Sequence, residues 1–158
     1  MEKLDLYTKD GTLTGKVINR GEKPQNGEYI KLCVVYLKCQ NKFLMQKCSV
    51  QKGGEYAITG GHVSSGNTSI SQAVIEVKEE LGFDIDISKL QFLGNIYRPT
   101  AIFDVFLYED NNLQNLEITL QEEEVESVSW LTKSEIDNLI SLGLVRPSSC
   151  EHYIKFIK

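Results

Sequence analysis

The chain has 158 residues, with 17 Lys and Arg against 22 Asp and Glu, and a formal net charge of −5. A chain of this length can bury enough surface to fold without disulfides or a structural metal, so we expect a single domain over residues 1–158. Its arginines are Arg20, Arg98 and Arg146. Nucleic acid polymers require clustered positive charge, so we do not expect one as a partner.

The sequence also contains no sign of a membrane or a secreted protein. Its apolar runs fall far short of the roughly 20 residues that a transmembrane helix requires, so we expect no membrane partner. Residues 1–5 contain no apolar stretch typical of a secretory signal. The cysteines have no CxxC spacing, which predicts free thiols in a reducing compartment: Cys33, Cys39, Cys48 and Cys150. We therefore expect a cytoplasmic location.

The first half of the chain is rich in strand patterns. A weak alternation predicts a short strand over 13–18, within an otherwise polar stretch. Apolar and β-branched residues over 29–39, followed by 43–45, predict a hairpin that enters the core. A further short strand is expected over 56–59, ended by Gly60-Gly61.

A helix is predicted next. It begins near Thr68 or Ser69, and Ser69 with Gln72 fits a capping box. It ends at Gly82, since glycine readily adopts the left-handed conformation at a helix C-terminus. At about 100° per residue, one face carries an apolar stripe: Ile70, Ala73, Val74, Val77 and Leu81.

The second half of the chain alternates strand and helix patterns. In chain order these are strands over 91–97, 101–108 and 125–131, a helix from Thr132 or Ser134 to about Leu142, and a shorter helix after Pro147. Strands with interspersed helices predict an α/β or α+β fold with a mixed sheet.

Beside the apolar stripe, Glu76, Glu79 and Glu80 form an acidic ridge near the end of the predicted helix. Like-charge pairs at i,i+3 and i,i+4 each cost about 0.2–0.5 kcal/mol, and the C-terminal end of the helix dipole disfavours anions further. A divalent cation would turn this repulsion into coordination, and oxygen ligands suit Mg²⁺ or Mn²⁺. A solvated acidic face is the alternative interpretation.

The glycines before the helix favour the metal interpretation. Gly60, Gly61 and Gly66 permit tight turns and close approach of the backbone to a ligand. A glycine loop between a strand and a helix can direct amides or carbonyls at phosphate and metal. The glycine loop lies at a fixed spacing from the acidic ridge, and the two together indicate a metal or phosphate site more specifically than the glycines alone.

Residues 61–83 resemble the Nudix box, GX5EX7REUXEEXGU with U an apolar residue. Gly61 matches the first glycine, Glu76 the acid after the arginine position, and Glu79-Glu80 the acid pair. Gly82 and Phe83 match the closing positions. The resemblance implies a Nudix-type α/β/α sandwich with a mixed sheet.

Two positions depart from the box: Asn67 stands in place of glutamate and Ile75 in place of arginine. The family's two side chains are thought to steady the loop and helix. Their joint absence resembles the loss of one supporting contact, which affects catalytic efficiency because such contacts tune metal ligands. Further segments, such as 4–7 and 44–47, resemble the isopentenyl-diphosphate-isomerase-like branch. Gly60 stands where that isomerase has a cysteine, so the resemblance favours a hydrolase over an isomerase.

By this resemblance, the chain is expected to be a metal-dependent pyrophosphohydrolase that cleaves a diphosphate linkage in a nucleoside diphosphate derivative or a related small molecule. The cofactor would be Mg²⁺, with Mn²⁺ as a substitute, held by Glu76, Glu79, Glu80 and the Gly60 carbonyl. Glu79 or an acid of the stretch 122–124 would orient or deprotonate the attacking water, and within that stretch Glu124 is preferred because it directly precedes Val125.

Substrate contacts are expected from Gly61, Arg98 and Lys47, the last two as phosphate-binding cations. The alternative interpretation is a non-catalytic ligand-binding or regulatory module on the same scaffold, favoured by Asn67 and Ile75. The sequence leaves a homodimer possible.

Overall fold

A mixed β-sheet organises the chain in the computed structural model, which describes residues 1–158. The elements in chain order are β1 (Lys3–Tyr7), β2 (Leu13–Asn19), β3 (Ile30–Cys39), β4 (Lys42–Cys48), β5 (Tyr56–Ala57), β6 (Thr59–His62), α1 (Ser69–Leu81), β7 (Gln91–Arg98), β8 (Ala101–Glu109), β9 (Val125–Thr132), α2 (Lys133–Ser141) and α3 (Pro147–Phe156). None of these helices has both the length and the apolar character needed to cross a bilayer.

Strand β3 lies at the centre of the main sheet. It runs parallel to β8, with partners from Ile30–Ala101 to Lys38–Glu109. Strand β7 then pairs antiparallel with β8 at that side of the sheet. The predicted mixed sheet is therefore confirmed. Strands β1 and β2 form a separate two-stranded sheet, attached to the rest through isolated bridges such as Tyr7–Tyr29.

On the other side of β3 the sheet splits. Strands β3 and β4 pair only beside their hairpin turn, at Lys38–Phe43 and Cys39–Lys42. Farther from the turn, β6 pairs with β3 over Leu32–Val35, whereas β5 and β9 pair with β4. The two strands thus diverge, and the space between them becomes the cleft described below.

Alternate residues of β3 face two hydrophobic cores on opposite sides of the sheet. Cys33, Val35 and Leu37 belong to the core that α1 covers. Val34 and Tyr36 belong to the core that α2 and α3 cover. The resulting helix–sheet–helix arrangement confirms the predicted α/β/α sandwich.

Helix α1 has the predicted ends and the predicted buried face. Ala73, Val77 and Leu81 are fully buried, and Gly82 ends the helix at φ 82°. The capping box differs from the prediction: the Thr68 hydroxyl accepts from Ser71 N at 3.2 Å, and the Ser71 hydroxyl accepts from Thr68 N. The expected box of Ser69 with Gln72 is therefore wrong, because Thr68 caps the helix and the Gln72 side chain contacts Asn67 and Glu76.

The predicted strand over 56–59 is also wrong in its ends. It is divided between β5 and β6, which pair with different strands, and β6 continues through Gly60 and Gly61. The glycines fit inside a strand because a side chain at Gly60 would collide with the Cys33 carbonyl of β3. Strand β1 was not predicted, since only short, weak alternation marks it. Helices α2 and α3 begin as predicted, after the Thr132 cap and at Pro147.

Candidate active site

A polar cavity of about 510 Å³ lies between α1 and β6. Carboxylates from three parts of the chain line it: Glu2, Glu76, Glu79, Glu80 and Glu124. The 3.6-residue repeat explains the three contributions from α1, because i, i+3 and i+4 share one helix face. The predicted acidic ridge thus opens onto one cavity. Lys78 lies off this ridge and pairs with Asp84 at 3.5 Å.

Glu80 and Glu76 are the more enclosed members of the ridge. Glu80 is only 7% exposed, and burial raises its pKa to about 8, helped by repulsion from Glu76 and Glu124. Burial also raises the pKa of Glu76, with repulsion from Glu79 adding to it. Both shifts arise because burial and like charge disfavour the ionised carboxylate. A bound cation would reverse that preference.

The residues present fit a divalent cation. Glu76 and Glu80 offer hard carboxylate oxygens from adjacent turns of one helix, which suits Mg²⁺ or Mn²⁺. The backbone leaves room for them: a Cβ at Gly61 would lie 2.5 Å from the Glu76 carboxylate. No three acidic, histidine or cysteine side chains converge on one point. Glu80 is buried and Glu76 is half-buried beside it, whereas Glu79 is exposed and Glu124 is half-buried at the edge.

A chain of amides supports Glu76, and the sequence analysis missed it. The Asn67 amide donates to Gln72 Oε1 at 2.8 Å, and the Gln72 amide donates to Glu76 Oε1 at 2.9 Å. Gln72 is buried and also accepts from Ser64 N at 3.2 Å. A glutamine four residues before a glutamate was the available signal, since such residues share a helix face.

Glu124 lies just before β9, where it borders two cavities. Its carboxylate pairs with Lys52 at 3.1 Å. Glu122 and Glu123 are exposed and line neither cavity. Among the acids of this stretch, Glu124 alone reaches the polar cavity.

The second cavity, of about 190 Å³, occupies the split between β3 and β4. It shares part of its wall with the polar cavity, including Gly60, Gly61 and Glu80. The rest comes from segments far apart in the sequence, with apolar Leu32 and Phe103 beside polar groups of α3. A molecule with two parts could therefore occupy both cavities at once.

The cationic side chains of the site differ from those expected from the sequence. Arg98 pairs with Glu151 at 2.5 Å and Lys47 with Glu126 at 3.1 Å, and neither lines a cavity. Their positions do not support contacts with the substrate. Three other basic groups line the smaller cavity instead: Arg20, Lys52 and Arg146. Only the rarity of arginine could have drawn attention to Arg20 and Arg146.

His62 borders both cavities from the end of β6. Burial lowers its pKa, and the Arg20 guanidinium lowers it further, so its imidazole is neutral at pH 7. It can accept or donate a hydrogen bond there without adding positive charge.

Comparison with known proteins identifies the family. The NUDIX domain model matches residues 30–148. An uncharacterised Nudix hydrolase of Listeria monocytogenes is 36% identical over 150 residues, which is 90% of this chain and 87% of that protein. Nudix hydrolase 3 of Arabidopsis thaliana is 31% identical over 89% of this chain, but only 20% of its own length is matched.

Solved structures share the fold. The structure of DR0079 from Deinococcus radiodurans superposes with a TM-score of 0.80 at 18% identity, covering 99% of this chain and all of that one. A bifunctional NMN adenylyltransferase/ADP ribose pyrophosphatase from Francisella tularensis, complexed with AMP and a manganese ion, gives a TM-score of 0.56 at 17% identity over 75% of this chain and 37% of that one. These findings leave the isomerase-like branch a prediction. The acidic face of α1 and the glycines of β6 agree with the match to the family model and to the relatives. The chain belongs to the Nudix family of hydrolases, which act on phosphorus-containing anhydrides.

Proposed function

We propose that this chain is a Mg²⁺-dependent pyrophosphohydrolase of a nucleoside diphosphate derivative, and that Mn²⁺ can replace Mg²⁺. The observation that carries the proposal is the pair of buried Glu80 and half-buried Glu76, which faces a cavity bordered by further carboxylates. Two adjacent carboxylates that are largely removed from water are costly to ionise unless a partner compensates their charge. A divalent cation is the partner that these oxygens favour.

In this proposal Glu76 and Glu80 hold the ion, with Glu79 and the Gly60 carbonyl as further ligands. When bound, such an ion offsets charge on the diphosphate oxygens as water attacks phosphorus. Gln72 orients the Glu76 carboxylate through its amide. Gly61 leaves the space that this carboxylate occupies and exposes its backbone at the boundary between the two cavities.

Glu124 is the better candidate for orienting or deprotonating the water, with Glu79 as the other. Glu124 borders both cavities, so its carboxylate would lie beside a diphosphate that spans the boundary between the two cavities. Its partner Lys52 borders the smaller cavity, where the ammonium can also contact a phosphate oxygen. Glu79 is exposed and borders only the polar cavity.

The alternative of a non-catalytic module is not favoured by any contact. That alternative was based on Asn67 and Ile75, which stand in place of the glutamate and arginine thought to steady the loop in the family. Here Asn67 still reaches Glu76 through Gln72. In this chain, amide groups support the Glu76 carboxylate.

The proposal is tested by following phosphate-containing products from a panel of nucleoside diphosphate derivatives and isoprenyl diphosphates. We expect hydrolysis with Mg²⁺ or Mn²⁺, and its loss when the ion is removed with EDTA and its return when the ion is restored. Hydrolysis that persists in EDTA would contradict the metal dependence. Binding without turnover of any panel member in either metal would favour the non-catalytic module.

A further inference from the structure

His152 of α3 is a buried imidazole that the site described above does not use. It is only 1% exposed, yet it lines the smaller cavity. Its Nδ1 lies 2.5 Å from the hydroxyl oxygen of Tyr36, which is fully buried on β3. The two rings also pack edge to face, with centroids 5.5 Å apart.

The Tyr36 hydroxyl determines which nitrogen of His152 carries the hydrogen. His152 is the only hydrogen-bond partner of this buried hydroxyl, so the hydroxyl donates to Nδ1 to avoid an unsatisfied buried donor. Nε2 therefore carries the hydrogen of the neutral ring. Nε2 has no hydrogen-bond partner within the protein. Every side-chain nitrogen or oxygen that is fully enclosed does have a hydrogen-bond partner, so Nε2 is not fully enclosed. Since His152 lines the smaller cavity, Nε2 opens into it.

Other hydrogen-bond donors face the same space. The Ser149 hydroxyl accepts from Ile58 N at 3.4 Å, which leaves its own hydrogen free to donate. Arg146 borders the cavity with its guanidinium near Cys48 Sγ. Apolar side chains such as Phe103 form the remaining wall. The cavity suits a compact group with an apolar body and an oxygen that accepts hydrogen bonds.

We propose that this cavity binds the organic group attached to the diphosphate, and that His152 selects it by donating a hydrogen bond from Nε2 to a carbonyl or hydroxyl oxygen. The inference rests on the proposed function, because the shared wall at Gly60, Gly61 and Glu80 joins this cavity to the polar one. It favours base- or sugar-bearing diphosphates over isoprenyl diphosphates, whose hydrocarbon leaves the donors unpaired.

Burial keeps this donor neutral. It lowers the pKa of His152 to about 4, and the Arg98 guanidinium contributes in the same direction. The imidazole thus stays uncharged at neutral pH and recognises an oxygen without attracting phosphate. This separates the role of the smaller cavity from that of the diphosphate site.

The first test uses nitrogen-15 NMR of the imidazole rings, because the chain has only two histidines and His62→Gln assigns the spectrum. The probes are α,β-methylene analogues of ADP-ribose and of isopentenyl diphosphate, each with Mg²⁺. We expect the Nε2–H tautomer of His152 in the free protein, and a shift of its Nε2–H signal with the ADP-ribose analogue only. An Nδ1–H tautomer, or no shift when calorimetry shows saturation, would overturn the inference.

The second test compares hydrolysis by His152→Phe and His152→Gln. We expect His152→Phe to lose about tenfold in kcat/KM for ADP-ribose, mainly through KM, and to leave isopentenyl diphosphate hydrolysis within twofold. The Gln variant retains a donor and should recover part of the loss. Ile154→Ala changes an exposed residue of the same helix and is the control. Equal losses on both substrates would contradict selection by His152, whereas no hydrolysis by the wild type would reject the proposed function itself.

Discussion

The two cavities that meet at β6 are built in different ways. The polar cavity takes three of its carboxylates from one face of α1, within five residues of sequence. The smaller cavity combines side chains from β3, β4 and α3, and its Tyr36–His152 contact joins residues 116 positions apart. The proposed hydrolytic chemistry thus lies on a local motif, and the proposed contacts to the rest of the substrate depend on the whole fold.

The largest effect is expected from breaking the local motif at Glu80. Mg²⁺ or Mn²⁺ should raise the Tm of the wild type, because a ligand that binds only the folded state stabilises it. Glu80→Gln should abolish this rise and lower kcat/KM by more than about 100-fold, since even supporting contacts of metal ligands are worth 10–100-fold. Thermal unfolding and product release measure the two effects.

Two controls make the Glu80 result interpretable. Without metal, Glu80→Gln should be at least as stable as the wild type, because it removes a buried acid whose ionised form is disfavoured beside Glu76. Glu109→Gln alters a carboxylate that pairs with Lys38 outside both cavities, and should keep the metal effect. A full rise in Tm for Glu80→Gln would exclude Glu80 as a ligand.

Gly61→Ala is expected to have the next largest effect. The added Cβ would lie 2.5 Å from the Glu76 carboxylate, which must then move. We expect a loss of about 10- to 100-fold in kcat/KM, with overpacking costing about 1–3 kcal/mol in the free energy of unfolding. Kinetics and urea unfolding measure the two losses separately.

Glu76→Asp serves as the partner in a double-mutant cycle, since its side chain is one methylene shorter. If the clash explains the loss, the combination of Gly61→Ala and Glu76→Asp should cost less than the sum of the single changes. Additive losses would mean that Gly61 acts through something other than Glu76.

The same contrast explains what the sequence could predict. Helix α1, its apolar stripe and its acidic ridge follow from a 3.6-residue repeat and from glycines at fixed spacing, all within 61–83. Gly60 and Gly61 were expected to end a strand, but they continue one that pairs with β3, and β3 leaves no room for a side chain at Gly60. That constraint comes from a strand almost 30 positions earlier, so no local pattern carries it.

The smaller cavity was not predictable for the same reason. Phe103, Arg146 and His152 meet only after the sheet splits and α3 packs against it. Arg98 and Lys47 were selected because cations suit phosphate, but the fold directs them to Glu151 and Glu126. Residue type alone cannot tell a surface ion pair from a contact with the substrate.

The smaller cavity can be probed through the pH dependence of stability. His152 has a pKa of about 4 in the folded protein, below its ordinary 6.5, so the unfolded chain takes up the proton first as pH falls. The stabilisation is present above pH 6.5 and is lost as pH falls towards 4. Between pH 7 and pH 5 the loss should be about 2 kcal/mol in the free energy of unfolding.

Urea unfolding of the wild type and His152→Gln at both pH values isolates this contribution. The variant should lose less stability on acidification, because carboxylates titrate in both proteins and cancel in the difference. His62→Gln is the matched control, since that imidazole is less buried and should contribute less. Equal pH dependence in wild type and His152→Gln would mean that folding does not lower the pKa of His152.

The smallest effect is expected at Gln72, which links Asn67, one of the two departures from the family's box, to Glu76. Gln72→Met keeps the length of the side chain but removes its three hydrogen bonds, to Asn67, Ser64 N and Glu76. We expect about a tenfold loss in kcat/KM and weaker metal binding, since the Glu76 carboxylate loses its orienting donor. Titration with Mn²⁺ and steady-state kinetics measure the two effects.

Gln51→Met is the control, because Gln51 is exposed and lines neither cavity. Asn67→Ala should cost less than Gln72→Met, since Asn67 reaches Glu76 only through Gln72. If Asn67→Ala lowers kcat/KM as much as Gln72→Met does, Asn67 supports the site through the loop itself and not only through Gln72. If neither change matters, Glu76 is held by the helix alone, and this chain tolerates Asn67 and Ile75 because the family's contact is dispensable here.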